Sequence, residues 1–431
     1  MSRLEFSAPQ AVHWIVQELD KSGYETWAVG GAVRDMLLGR PSSDWDLATS
    51  ARPEQVQKVF RRTVSLGVEH GTVGVLSRNG TLYEVTTFRR DVETDGRHAV
   101  VSFADTIEED LARRDFTINA VAWHPLRANL VDPFGGMDDL QERVLRTVGV
   151  PEERFREDYL RILRALRFAG LFGLEIEQET WTSLSALVSH LKSLSTERVR
   201  DELLKILTTD SSPGRVLELY AESGAVSVLY PELQGLRELS DGREGSSLWT
   251  LSVSAVQALP TGRPMLRLAA LLCELSPRDV GAFLTRLRFS NATIAETTGL
   301  VGSNPFPPSE ADGCTWRRWL AATGPERISA LARLGLARAR ARYSLGMGDD
   351  RESLVSSWRQ AKAIRLQRPP LEVSDLALDG RGLISIGLKP GPHFAQILDG
   401  LLDWVLEDPE RNRHDLLVEC AMELAAELAD G

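Results

Sequence analysis

Asp44 and Asp46 stand one residue apart in DWDLAT, and a short GGAVRD segment at 30–35 precedes them. A strand turns residues i and i+2 to one face, so both carboxylates are expected to point at one spot. Two like charges about 4 Å apart repel by roughly 4 kcal/mol at an effective dielectric near ~20. A hard divalent cation offsets such repulsion. Gly30 and Gly31 supply bare backbone N–H groups beside it, which suit a phosphate chain bridged by the same cation. Glu84, in YEVTTFR, would bring a third carboxylate on a neighbouring strand. Three carboxylates so arranged fit a two-metal site for nucleotidyl transfer: one ion lowers the pKa of an attacking hydroxyl and the other stabilises the leaving pyrophosphate.

Two further clusters carry polar chemistry. RRDFTINA at 113–120 places Arg113, Arg114, Asp115 and Asn119 within one to two helical turns. The two arginines can clamp phosphates bidentately, Asp115 can accept from a ribose hydroxyl, and Asn119 can donate and accept. Taken alone, this segment reads as an ordinary amphipathic helix with an ion pair. EDYLRILRALRF at 157–168 spaces Asp158, Arg161 and Arg164 by three. A surface ion pair explains that spacing too. The sharper reading is base recognition. Cytosine and adenine both present an amino donor beside a ring-nitrogen acceptor, which a carboxylate next to a guanidinium complements. Uracil and guanine reverse both partners, a difference of about 1–3 kcal/mol for one such pair.

These residues need elements to hold them. Val12, Ile15, Val16 and Leu19 have helical spacing over 10–21. TWAVGG reads as a strand ending in a glycine turn, AVRDMLLG as a short helix stopped by Gly39, and 44–49 as the second strand. EQVQKVF reads as another helix. TVGVLSR and LYEVTTF suit a hairpin turning at Asn79-Gly80. The charged stretch 89–98 reads as a loop. Beyond about residue 150 the pattern is helical, interrupted by Pro and Gly. The fold class expected is α+β: a head with a small mixed sheet, followed by an all-helical remainder.

Composition narrows the class. The chain has 431 residues, 43% hydrophobic and 26% charged, the balance of a soluble globular protein of two to four domains. No apolar run approaches the roughly 18 residues a membrane span needs, and MSRLEFSAPQ at the N-terminus carries no signal-peptide core. Three widely spaced cysteines indicate neither zinc nor a disulfide framework, and buried free thiols in a reducing cytoplasm are expected. A net charge of −11 argues against coating nucleic acid through bulk charge but leaves room for a basic face.

GGAVRD, DWD, RRDFTINA, DPFGG at 132–136 with Asp139-Leu140, and EDYLRILRALRF, in this order, resemble the bacterial-type (class II) tRNA nucleotidyltransferases, relatives of poly(A) polymerases that build the 3′-terminal CCA of tRNA. These motifs cover about residues 24–170. STERVRDELLKIL at 195–207 resembles the family's next helical motif. DLALDGRGLISIGLKPGP at 375–392 resembles its C-terminal region, with Gly382 where a polar residue is expected.

The resemblance implies a nucleotidyltransferase head over 1–140, a base-reading neck over 141–210, a body over 211–310 and a tRNA-binding tail over 311–431. It implies magnesium on Asp44 and Asp46, with Glu84 assisting. Gly30, Gly31 and Arg34 would serve the triphosphate, and Arg113, Arg114, Asp115 and Asn119 the phosphates and ribose. Asp158 and Arg161, with Arg164 nearby, would act as a protein template for C and A. The implied substrates are ATP and CTP, the partner is the tRNA 3′ end, and the compartment is the cytoplasm. DGRH at 95–98 lies in a loop that members adding only CC lack, which leaves full CCA addition or addition of the terminal A alone. A bacterial poly(A) polymerase expects a basic C-terminal extension, whereas this sequence ends in ECAMELAAELADG. An inactive RNA-binding protein is disfavoured by the intact carboxylates, RRD and EDxxR.

The stretch 316–346 is rich in Arg and poor in acids. Arg317, Arg318, Arg333, Arg338, Arg340 and Arg342 could follow a phosphate backbone, with Trp316 or Trp319 against ribose or apolar surface. Arg359, Lys362, Arg365 and Arg368 extend the stripe. A solvated helix face whose Arg stems cover apolar surface explains the same residues.

Overall fold

The computed structural model describes residues 7–42, 44–67, 71–94, 99–209, 211–238 and 247–430. They form two compact units, 1–234 and 235–431. The finer boundaries at 140, 210 and 310 remain proposals.

The first unit opens with α1 (Gln10–Lys21), whose Val12, Ile15, Val16 and Leu19 are fully buried, as the spacing requires. Strand β1 (Thr26–Val29) leads through Gly30 into α2 (Gly31–Leu37). Then follow β2 (Asp46–Thr49), α3 (Pro53–Val59), β3 (Thr63–Ser65), β4 (Thr72–Leu76) and β5 (Leu82–Thr87). Beyond β6 (Arg89–Thr94) and β7 (Ala99–Phe103) come α4 (Ile107–Ala112), β8 (Ala122–His124) and β9 (Asn129–Val131). The main sheet runs β3-β4-β5-β2-β1-β8-β9. β2 is antiparallel to β1 and parallel to β5, so the sheet is mixed. Alternation along the central strands feeds two cores. Ala28 and Leu47 join α1 and α3 in one, while Trp27, Val29 and Ala48 join Ile107 and Leu111 of α4 in the other. The β4–β5 hairpin turns at Asn79-Gly80 as expected, with Gly80 at φ 85°.

The charged stretch expected as a loop is instead strand: β6 pairs with β7 in a two-stranded antiparallel ribbon. Its run of charges offers no apolar alternation to mark it as strand. DGRH lies outside the described residues.

Helices then take over: α5 (Gly136–Glu142), α6 (Pro151–Glu157), α7 (Leu160–Phe172), α8 (Gln178–Leu187) and α9 (Thr196–Thr208). Pro151 at the first position starts α6, and the Ser195 hydroxyl caps α9 by accepting from Arg198 N–H. EDYLRILRALRF is therefore not one helix. Asp158 is extended (φ −156°, ψ 108°) between α6 and α7.

The second unit is helical throughout its described residues, from Leu248–Ala258 to His414–Asp430. Near its end Leu383, Ile397, Leu401, Val405 and Leu417 form a buried cluster. A Cβ on Gly382 would strike buried Leu378 Cδ1, a packing reason for glycine where a polar residue was expected. The three cysteines are unpaired and half-buried rather than buried. No helix among the described residues is long and apolar enough to cross a membrane.

Candidate active site

Gly30 leaves β1 with φ 71° and ψ −134°, a conformation that excludes side chains. A Cβ there would lie 3.1 Å from Arg114 Nη1 and 3.7 Å from Asp46 Oδ2, so turn, arginine and carboxylate converge. Asp46 is the first residue of β2, in register with Val29 on one side and Glu84 on the other. The strand does not reach Asp44, which is exposed ahead of it. The two aspartates are electrostatic neighbours. Burial first, then Asp44 and Glu84, push the Asp46 carboxyl up to about 6, with Arg114 opposing.

This conflict fits a cation. Among the described residues no three Asp, Glu, His or Cys side chains form a closed metal cage. One or two carboxylates with positions left open is the pattern for magnesium shared with substrate phosphates.

RRDFTINA is not the expected helix. Arg113 ends α4, and Thr117–Asn119 make a single 3-10 turn. Asp115 and Asn119 still meet: Asn119 Nδ2 donates to Asp115 Oδ1 at 2.9 Å, and Arg164 Nε of α7 donates to Oδ2 at 2.7 Å. Burial pushes the Asp115 carboxyl up, but Arg164 and Asn119 outweigh it and hold it below its ordinary value. DPFGG explains why the turn sits here. Gly136 packs so closely that a Cβ would strike the Thr117 carbonyl, while Thr117 Oγ1 donates to Asp139 Oδ2 at 2.6 Å. Arg34 is buried and donates to Asn119 Oδ1 at 2.8 Å and to Asp35. Its guanidinium lies 4.4 Å from the ring centre of Phe172 and 5.1 Å from that of Phe168, cation–π contacts that tie α2 to α7.

At the α6–α7 break, Asp158 and Arg161 do not form the expected pair with each other. Asp158 Oδ2 accepts from Arg198 Nη2 at 2.6 Å. Arg161 pairs with Glu157 and donates to the Arg154 and Arg113 carbonyls at 3.0 and 3.3 Å.

One cavity of about 650 Å³ is lined by many of these groups. Its wall includes Gly30, Gly31, Asp46 and Glu84, the polar residues Arg34, Arg113, Arg114, Asp115 and Asn119, and Asp158, Arg161 and Arg164. Asp44 is not in its wall. Asp110 lies outside every quoted motif, and Phe168 and Arg198, though within EDYLRILRALRF and STERVRDELLKIL, were not singled out as site residues. Asp110 is 3% exposed and binds Arg89 N–H and Arg114. Its place in the apolar stripe between Ile107 and Leu111 was the available signal.

The arginines of the second unit divide. Trp316 and Trp319 are buried against each other and Phe306, so neither is available to ribose. Arg317 donates to the Leu406 and Glu407 carbonyls, Arg318 pairs with Asp403, and Arg338 with Glu274 at 2.7 Å. Arg333, Arg340 and Arg342 are exposed along Ile328–Ser344, followed by exposed Arg359, Lys362 and Arg365 on Arg351–Leu366.

Known proteins share both the sequence and the fold. Residues 26–146 match the family model "Poly A polymerase head domain", and 173–236 match "Probable RNA and SrmB- binding site of polymerase A". The CCA-adding enzyme of Geobacillus thermodenitrificans is 34% identical over 418 residues, 95% of each chain. That of Streptococcus gordonii is 45% identical over 273 residues, 63% of this chain and 65% of its own. The crystal structure of the Bacillus stearothermophilus CCA-adding enzyme in complex with CTP superposes with a TM-score of 0.75 at 31% identity, covering 98% of this chain and all of that one. A Thermotoga maritima CCA-adding enzyme complexed with tRNA shares the fold at a TM-score of 0.60 and 22% identity, covering 98% of each chain.

Proposed function

The chain belongs to the CCA-adding enzyme family, and from that premise we propose that it builds the 3′-terminal CCA of tRNA from CTP and ATP without a nucleic-acid template. It is a nucleotidyltransferase of the cytoplasm, and its partner is the tRNA 3′ end. The observation that carries the reading is one cavity whose wall holds Asp46 and Glu84, on neighbouring strands, together with Asp158, Arg161 and Arg164. A nucleoside triphosphate calls for both kinds of group: cation-holding carboxylates for its phosphates and a paired donor and acceptor for its base edge.

The reaction is an in-line attack by the tRNA 3′-hydroxyl on the α-phosphate, with pyrophosphate leaving. Asp46, assisted by Asp44, would hold magnesium, which when bound supplies charge compensation to the triphosphate and acidifies the attacking hydroxyl. Glu84 lies beside Asp46 as a third carboxylate for that hydroxyl's proton. Gly30 and Gly31 leave room for phosphate oxygens, and Arg113 and Arg114 clamp them bidentately. Arg34 acts from behind: its contacts to Asn119, Phe168 and Phe172 fix the glycine turn against α7. Asp115 and Asn119 face the ribose, with Arg164 orienting Asp115. Asp158 accepts from the amino group shared by cytosine and adenine, and Arg161 donates to their ring nitrogen. The tail holds the body of the tRNA through the exposed arginines of Ile328–Ser344.

The test offers tRNAs lacking CCA, lacking only the final A, and complete, each with single labelled nucleotides. The expected products are two C additions from CTP, then one A from ATP, and none on the complete tRNA. Extension only of the tRNA ending in CC would reduce the activity to A addition, and long A tails on unrelated RNA would make the protein a poly(A) polymerase.

A further inference from the structure

Asp158 and Arg161 are the base-reading pair of the proposed function, and the role assigned below to Arg198 rests on that reading. Asp158 stands at the α6–α7 break and Arg161 in the first turn of α7, close enough in sequence that the two could neutralise each other. Among the described residues they make no such ion pair. Asp158 Oδ1 accepts Leu160 N–H at 3.0 Å, and Oδ2 accepts Arg198 Nη2 at 2.6 Å. Arg161 is held by Glu157 and by the Arg154 and Arg113 carbonyls. Each reading group thus has its own partner of opposite charge. Each also keeps capacity, because a carboxylate offers about four acceptor sites and a guanidinium about five N–H donors.

Arg198 enters from a third element. It stands in the first turn of α9, its own N–H bound by the Ser195 hydroxyl at 3.4 Å, and its side chain reaches the cavity wall. We propose that Arg198 is a positioning residue for base selection. It holds Asp158 as an acceptor turned to the incoming base and away from Arg161, and so sets the preference for C and A over U and G.

The physical reason lies in the soft terminal torsion of an Asp side chain. The Leu160 N–H fixes one oxygen only. Without Arg198, the Arg161 guanidinium, in the first turn of α7, becomes the partner for the other oxygen. Asp158 and Arg161 would then spend acceptor and donor on each other. The edge that distinguishes C from U would be lost, while Gly30, Gly31 and Asp46 would keep their places. Lysine at 198 keeps the charge but not the planar fork, so it restores the arrangement only in part.

The experiment uses the full chain and measures kcat and KM for CTP against UTP on tRNA lacking CCA, and for ATP against GTP on tRNA ending in CC. Wild type, Arg198→Ala, Arg198→Lys and Asp158→Ala are compared, each with its melting temperature. Arg198→Ala is expected to lower both kcat/KM ratios by about tenfold or more, chiefly through a higher KM for the correct nucleotide, with Arg198→Lys intermediate. If Arg198→Ala slows all four nucleotides alike and leaves the ratios within about twofold of wild type, the residue is merely structural and the inference falls. If Arg198→Ala does not fold, Arg198→Lys decides: lowered ratios at an unchanged melting temperature support positioning, and unchanged ratios overturn it. Asp158→Ala separates the two levels. Lowered ratios there with none in the Arg198 variants sink this inference alone; unchanged ratios in Asp158→Ala sink the base-reading assignment itself.

Discussion

Asp46 is the residue whose state the fold strains most openly. Burial, Asp44 and Glu84 raise its carboxyl from an ordinary 3.8 to about 6. A folded-state value above the unfolded one means that its contribution to stability is complete below about pH 4 and is lost as pH rises through 6. In chelator at about pH 7.5, Asp46→Asn is therefore expected to be more stable than wild type by about 1–2 kcal/mol after allowance for solvent screening, with the gain gone near pH ~4. The same variant should lose nucleotide incorporation. Thermal melts at the two pH values, with and without magnesium, check this; equal melting of the two proteins at the higher pH would remove the conflict. At this scale the motif spacings made most of the cavity wall legible, because each chemistry-bearing residue lies within a few positions of another. Asp110 and Arg198 were not legible as site residues. Each sits among other charges of its helix, and what separates it from a solvated one is a contact to another segment, the Arg89 N–H for Asp110 and Asp158 for Arg198. Arg34 was legible as a site residue, but its stacking on Phe168 and Phe172 was not.

Between elements, the join that matters is α7 with α9. Arg167 Nε meets Glu202 Oε2 at 2.7 Å, and Glu202 is 1% exposed. Burial pushes the Glu202 carboxyl up, but Arg167 and Lys205 outweigh it and hold it below its ordinary 4.5. Its stabilising effect is thus present above about pH 4.5 and lost as pH falls through the lowered native value. Glu202→Ala leaves the Arg167 charge buried and unpaired and is expected to cost about 3–5 kcal/mol, whereas Arg167→Met with Glu202→Leu recovers most of it. Denaturant unfolding of wild type and the two variants measures this, and a double variant no better than the single one would contradict it. Periodicity located α1, α2, α3 and the β4–β5 hairpin well. It failed at the 3-10 turn of RRDFTINA and at the α6–α7 break, where side-chain hydrogen bonds and a packed glycine override local spacing.

Across the whole molecule, an acidic chain of net charge −11 must hold a polyanion. The exposed arginines of Ile328–Ser344 supply local positive charge. Arg338 is not among them, being committed to Glu274. Arg340→Glu with Arg342→Glu is expected to raise KM for tRNA several-fold, more steeply at high salt, and to leave KM for ATP nearly unchanged. Equal effects on both substrates would take this helix out of the RNA path. The α+β head and helical remainder were legible from the change of period near residue 150. The commitment of half the tail arginines to acids and carbonyls was not, since an arginine pairing across a fold looks in sequence like one facing solvent.

The central claim is that the cavity holds a nucleotide with its phosphates at Asp46 and the glycine turn and its base on the α6–α7 break. A crystal structure of this chain with CTP and magnesium tests it most directly. The triphosphate is expected against Gly30, Gly31 and Asp46, and the cytosine edge within hydrogen-bond reach of Asp158 and Arg161. Phosphates bound away from Asp46, or a base with no contact to that pair, would contradict it.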